Sequence, residues 1–258
     1  MTSFIHTALF GVYPYIALST FLVGSLVRFD TDQYGWRSKS SQFLRRSQLV
    51  WGSILFHVGI LGILAGHAVG LLTPVAVFDV LGISHGFKQM MAIVVGGLFG
   101  TLCFVGLAML LHRRLFDSRI RKTSSISDIA VLLILFAQLS LGMLTIPLSL
   151  GHLDGAMMVR FMHYVQGIVT LRPGAASYIA DVPLIFKLHM ALGFTIFLVF
   201  PFTRLVHVWS APLGYLARRY QVVRTKRRTA TEPGDQSLPA YVARPALRPA
   251  PIGRKKAA

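Results

Sequence analysis

Charged side chains and cysteines are both scarce in this chain, and each shortage excludes a class of protein. Charged residues make up 14% of the 258 positions while 54% are hydrophobic, against about 25% charged in an ordinary soluble domain. The solvent of most of this chain is therefore expected to be lipid. The single cysteine, Cys103, permits no internal disulfide and no thiolate metal cluster. It reads as a buried, inert thiol, since free cysteine behaves as a small hydrophobe. Iron–sulfur or molybdenum chemistry in any assembly containing this chain must sit on another polypeptide. No internal repeat is present. The first apolar stretch lacks the basic start and cleavage site of a signal peptide and is too long for one, so it reads as a retained helix.

What the chain has in abundance is long apolar runs. Five are long enough to cross about 30 Å of hydrocarbon, which takes roughly 20 helical residues. They run approximately from Phe4 to Val27, Leu49 to Leu72, Lys88 to Leu111, Ser127 to Ser149 and Leu184 to Trp209. The expected fold is an all-α integral membrane bundle of five transmembrane helices.

The formal charge of +17 could suggest nucleic acid, but its distribution argues against that partner. Arg28, Arg37, Lys39, Arg45 and Arg46 lie between the first two spans. Arg113, Arg114, Arg119, Arg121 and Lys122 follow the third, and eleven more basic residues lie beyond Ser210. By contrast, residues 1–6 and 73–87 have none, and residues 150–183 have only Arg160 and Arg172. The positive-inside rule then places the N-terminus outside (periplasmic) and the C-terminus in the cytoplasm. Five spans require opposite termini, which agrees. Residues 1–224 read as the membrane domain. Residues 225–258, with Pro233, Pro239, Pro245, Pro249 and Pro251 among Arg, Ala and Lys, read as a disordered basic tail that cannot bury a core. Such a tail is either a plain solvated extension or a contact for anionic lipid or a partner subunit.

Four histidines interrupt two of the apolar runs. His57 and His67 lie in "LFHVGILGILAGHAVGLLTP" (55–74), and His189 and His207 in "FKLHMALGFTIFLVFPFTRLVHVW" (186–209). An imidazole in hydrocarbon needs a partner. With this topology His57 and His207 sit at the inner level and His67 and His189 at the outer level. Two histidines from facing helices can hold a haem iron from both sides, so two pairs imply two haems. The fit along the axis is imperfect. At ~1.5 Å per residue the first two histidines are about 15 Å apart and the second two about 27 Å. The bend expected near Pro201 and helix tilt would have to absorb the difference. Eighteen residues is five helical turns, so His189 and His207 are expected to share one face.

Gly59, Gly62, Gly66 and Gly70 accompany the first pair. They would admit a flat porphyrin, or serve helix packing alone. Structural hydrogen bonding, or proton handling in a transporter, remains the competing account of the four histidines. His6, His85, His152 and His163 fall near outer segments and His112 opens an inner loop. They read as solvated or interfacial groups, with one or two outer ones able to accept protons near neutral pH.

These residues belong to strings that resemble a known family, the gamma subunit of membrane-bound respiratory nitrate reductase, a di-haem b-type cytochrome. The likeness covers most of residues 4–224. It includes "FGVYPYIA" (10–17), "RFDTDQYGWR" (28–37), "LFHVGILGILAGH" (55–67), "FKQMMA" (87–92), "GMLTIPLSLGHLDG" (142–155) and "FPFTRLVHVWSAPLGYLARRYQVV" (200–223). The resemblance implies two b-type haems, an outer one ligated by His67 and His189 and an inner one by His57 and His207. It implies oxidation of a quinol (menaquinol or ubiquinol) at the outer face of the cell inner membrane. Electrons then pass to a cytoplasmic iron–sulfur beta subunit and a molybdenum-containing alpha subunit that reduces nitrate.

The resemblance also puts a quinol-contacting lysine at Lys88, with Gly66 bordering the same site. A snorkelling interfacial anchor is the plain reading of Lys88. Arg204, three residues before His207, is either a partner for a haem propionate or an inner-leaflet anchor. Two further functions compete with this one. One is a related di-haem subunit of another membrane reductase, acting on sulfur compounds or heterodisulfides. The other is a haem-free membrane anchor or transporter.

Overall fold

A computed structural model describes residues 4–36, 44–151 and 153–210. The expected tail at 225–258, and His152, lie outside the described residues. Among the described residues there is no β-strand, and five helices are long and apolar enough to cross a membrane. We label them α1 (Phe4–Thr31), α2 (Arg46–Leu72), α3 (His85–Phe116), α4 (Ile126–Leu150) and α5 (Leu184–Val199), the last reaching spanning length with the 3-10 turn that continues it to Phe202. A shorter amphipathic helix, Ala156–Val169, lies between α4 and α5 in sequence and is called the cap helix.

The helix ends follow local chemistry. Ser84 opens α3 by accepting the Phe87 N–H at 3.2 Å. Ser125 and Asp128 open α4 as a reciprocal capping box. Proline sets the irregularities. Pro14 has no N–H to give to the preceding turn, and α1 widens there into a π turn, Ala8–Val12, in which Tyr13 N–H bonds Ala8 O. The end of α2 also widens, at Ala68–Leu72, before Pro74 stops it. The carbonyls freed at this end do not stay bare. Gln166 of the cap helix donates its side-chain amide to Leu71 O at 3.0 Å and Thr73 O at 2.9 Å.

Glycine decides which helices touch. A Cβ at Gly59 would strike the Cys103 backbone of α3, and one at Gly106 would lie 2.8 Å from Gly52 O. α2 and α3 are therefore in backbone contact, as small residues permit in lipid where apolar burial alone gives no drive for association. Cys103 is 1% exposed in this seam, in keeping with the inert thiol expected. α3 meets α4 where Gly100 faces the Met143 sulfur, α4 packs on α5, and α5 packs on α1, joined by a Tyr13–Thr195 hydroxyl pair at 2.9 Å. The helices thus follow one another in the order α2, α3, α4, α5, α1. α2 and α5 face each other without forming an extended helix–helix contact.

One terminus of the bundle is held by the cap helix. Tyr164 is fully buried and donates to Phe10 O at 3.1 Å, amid Ile168, Ala176, Ile179 and Phe186. Burial pushes its phenol well above the ordinary value, so it remains a donor. The opposite end is rich in arginine. Arg113 donates to Leu44 O at 2.7 Å, and Arg45 pairs with Asp117 at 3.1 Å. The Asp117 carboxyl is held below its usual range chiefly by the Ile120 N–H, with the Arg119 N–H and the Arg45 guanidinium adding to it.

One expectation about the fifth span is corrected. The helix does not run on to Trp209. α5 ends at Val199, a 3-10 turn covers Phe200–Phe202, Thr203 is extended (φ −121°, ψ 176°), and a second 3-10 segment spans Arg204–Ser210. Pro201 cannot donate into the preceding turn, and with Thr203 extended the α-helical path is broken between Val199 and Arg204. His189 and His207 are therefore not on one face of one helix.

Candidate functional site

The gap between α2 and α5 is where the four intramembrane histidines meet. The rings of His57 and His207 have centroids 6.5 Å apart, and those of His67 and His189 6.3 Å apart. The second member of each pair comes from the far side of the sequence. Both pairs close although a straight helix would leave an axial excess between His189 and His207, and the helix they would share is interrupted at Phe200–Thr203.

Each of the four rings is held in the same way. His57 Nδ1 lies 2.7 Å from Ser53 O and His67 Nδ1 2.9 Å from Ile63 O. His189 Nδ1 lies 3.2 Å from Gln138 O of α4, and His207 Nδ1 2.6 Å from Arg204 O. A carbonyl oxygen can only accept, so in every case Nδ1 carries the proton and Nε2 keeps its lone pair. Ligating histidines are oriented by such a bond from the second ring nitrogen. The other described histidines are engaged differently. His6 uses Nε2 toward Ala176 O, and His85 uses Nε2 toward Asp79. His112 meets the Gln48 amide and His163 stacks on Tyr178.

The spacing also suits a metal between the rings. A metal lies ~2 Å from a ligating imidazole nitrogen and the ring centre about 1 Å beyond that, so two rings on one metal have centroids roughly 6 Å apart. Among the described residues no three His, Cys, Asp or Glu side chains gather into a metal cluster. A paired-imidazole site needs only two, with the porphyrin supplying the rest. One contact runs against ligation: the Gln138 amide reaches His189 Nε2 at 3.5 Å, and it must turn aside for that nitrogen to bind a metal.

The glycines divide between two roles. Gly59 and Gly62 meet Cys103 and the Phe99 ring across the α2–α3 seam. Among the described residues nothing lies within 4 Å of a Cβ added at Gly66 or Gly70, so packing among those residues does not account for them. Gly142 of α4 is a glycine that the sequence did not single out. An added Cβ there would lie 2.9 Å from Cε1 of His189, so the missing side chain is what lets that ring reach the Gln138 carbonyl.

Lys88 does not snorkel outward. It is 8% exposed, donates to Met162 Sδ of the cap helix at 2.7 Å, and lies 3.7 Å from the centre of the Phe78 ring. That ring belongs to the short helix Val75–Val80. Arg204 lies 3.6 Å from Asp128, whose other oxygen is 3.5 Å from Arg114. Asp128 carried no functional signal in the sequence beyond its capping position, because its partners are distant along the chain.

With this geometry in view, comparison with known proteins is decisive. A family model described as nitrate reductase gamma subunit matches residues 6–226. The chain belongs to this family. It is 46% identical over 223 residues to the respiratory nitrate reductase 1 gamma chain of Escherichia coli (strain K12), covering 86% of this chain and 99% of that one. It is 43% identical over 218 residues to the nitrate reductase gamma chain of Bacillus subtilis (strain 168), covering 84% and 97%. It is thus a multi-pass inner-membrane subunit of a nitrate reductase, a component of an oxidoreductase complex that works with other subunits. Its matched span includes all four of these histidines and ends at residue 226, before the first proline of the tail at Pro233.

Proposed function

We propose that this gamma-family chain is a di-haem cytochrome b that oxidises quinol at one membrane face and delivers the electrons to its partner subunits at the other. The observation that carries the reading is the shared Nδ1–carbonyl bond at His57, His67, His189 and His207, which leaves four Nε2 lone pairs in two facing pairs. His67 and His189 would ligate the outer haem, and His57 and His207 the inner one. A haem bound between such pairs supplies reversible one-electron chemistry, which couples a two-electron donor to a chain of one-electron carriers.

The residues do the remaining work. The backbone carbonyls hold each imidazole as the Nδ1–H tautomer. Gly66 and Gly70 keep the face of α2 open beside His67. Arg204, 3.6 Å from Asp128, would offer a propionate a guanidinium that matches a carboxylate bidentately. Quinol oxidation releases two electrons and two protons. Lys88, confined by Met162 and Phe78, would stabilise the oxyanion left as the first hydroxyl proton departs. The arginine-rich end would face the cytoplasm, by the positive-inside rule, with the iron–sulfur beta and molybdenum alpha subunits docked there.

The test is spectroscopic. Membranes holding the intact complex should show b-type bands in the reduced-minus-oxidised spectrum, equivalent to two haems per chain, that appear on adding a quinol analogue. Correctly inserted protein with no b-type band would end the proposal. Lys88→Met should lower the rate of quinol-driven haem reduction by about 100-fold, the usual loss on removing one charge-stabilising donor, while dithionite still reduces both haems. Wild-type rates in that variant would assign Lys88 to anchoring alone.

A finer prediction concerns Gly142. Ala in place of a helical Gly ordinarily gains up to ~1 kcal/mol, but here the methyl would press on the His189 ring. Gly142→Ala should therefore alter the outer haem's redox midpoint or reduce its occupancy, with the inner haem unchanged. Two unaltered haem titrations would show that the ring has room to yield.

A further inference from the structure

α1 carries none of the four histidines, yet one of its faces is shaped to the segment that presents His207. Phe21, Gly24 and Arg28 recur at three- and four-residue spacing, so they share a stripe of the helix. The Phe21 ring lies 4.8 Å from Phe200 and 5.4 Å from Trp209. At Gly24 an added Cβ would lie 2.8 Å from the Pro201 ring, so only glycine lets that ring seat against the helix. Arg28 Nη1 donates to Pro201 O at 2.6 Å and to Thr203 O at 2.8 Å.

Both carbonyls lie at the break between α5 and the Arg204–Ser210 segment, outside any α-helical ladder. In lipid an unsatisfied carbonyl is costly, and irregular backbone persists there only when the protein supplies partners. A charged guanidinium is a strong partner for both. Inside the turn, Thr203 Oγ1 donates to Phe200 O at 3.0 Å and accepts the Leu205 N–H at 3.3 Å. The turn is thereby held on two sides, and Arg204 O at its far edge is the acceptor that orients His207.

We propose that Arg28 is a positioning residue for the inner haem ligand, clamping the Pro201–Thr203 turn so that His207 meets His57. The proposal rests on the di-haem reading above. Nothing equivalent is needed at the other pair, where His189 sits within the regular helix α5 and is steadied by Gln138 O of α4. Loss of the clamp should therefore be felt at one haem and not at both.

The test replaces Arg28 by Met and, separately, by Gln in the intact complex. Chain abundance is measured by immunoblot, and the two haems are resolved by redox-titrated visible spectra and low-temperature EPR. Two b-type haems in the wild type secure the underlying reading independently of Arg28, and their absence there would remove that reading instead. For Arg28→Met the inner-haem signal should fall several-fold per chain or show a displaced EPR signature, with the outer-haem signal unchanged. Where Arg28→Met does not accumulate, Arg28→Gln decides by the same criterion, because a shorter neutral amide cannot serve both carbonyls with a charged donor. A native inner-haem signature, or equal loss of both haems in inserted protein, overturns the assignment.

Discussion

His67→Ala and His189→Ala should each remove the same outer b-type haem of the proposed pair and leave the inner one in place. His57→Ala and His207→Ala should do the converse. This follows from ring pairs at 6.3 and 6.5 Å, each spanning α2 and the α5 region. Losing one of two axial imidazoles removes a full ligand rather than its outer support. The effect should therefore exceed the ~10–100-fold loss typical when only a supporting partner is changed. For the outer pair, quinol-driven reduction of the inner haem should fall by at least that much, while dithionite still reduces it. Difference spectra and haem extraction on the four single variants provide the measurement. Depletion of one and the same haem by His67→Ala and His57→Ala would show that the rings serve a different pairing in the loaded protein.

The second large effect is expected at Asp128, which faces two guanidinium groups at the arginine-rich end. It is 8% exposed, and the Arg114 and Arg204 side chains are 10% and 21% exposed. Removing one partner from a buried ionic cluster costs about 3–5 kcal/mol, because the remaining charges stay desolvated without compensation. Separations of 3.5 and 3.6 Å are ion pairs without tight hydrogen bonds, so Asp128→Ala belongs at the lower end, about 3 kcal/mol. Asp128 also accepts the Ser125 N–H at 3.4 Å in the capping box. Asp128→Asn keeps an acceptor there and loses only the charge, so it should be milder by about 1 kcal/mol, the usual worth of a helix cap. Thermal unfolding of the detergent-purified complex orders the three proteins. If Asp128→Ala matches the wild type within a degree, the cluster is held by solvent rather than by Asp128.

The two effects differ in how readily the sequence exposed them. The histidines stood out because imidazole is anomalous in a 20-residue apolar run, and because charge asymmetry between loops assigned each a level. Asp128 did not stand out. It lies at a helix start where acidic residues are ordinary, and its partners Arg114 and Arg204 are remote in sequence. Gly142 and Arg28 were hidden for the same reason, since a glycine or arginine near a membrane helix has many ordinary explanations. Lys88 was named from a resemblance, but Met162 and Phe78 beside it come from separate helices that no local pattern joins. The one structural expectation that had to be revised, a fifth helix running to Trp209, failed where Pro201 withdrew a donor.

By itself the sequence determined the membrane class, the number and order of the spans, the unequal distribution of arginine and the histidines that most needed partners. Those properties follow from composition and from one-dimensional spacing, because hydrocarbon penalises every unpaired polar group wherever the chain enters it. Only the tertiary structure decided which helices touch and how the axial mismatch between the histidine pairs is resolved. It also decided that α1, which carries none of these histidines, supports the turn leading to His207. Those outcomes depend on backbone approach at single glycines and on carbonyls freed by a proline. Neither has a fixed offset along the chain, so neither could be read before the helices were brought together.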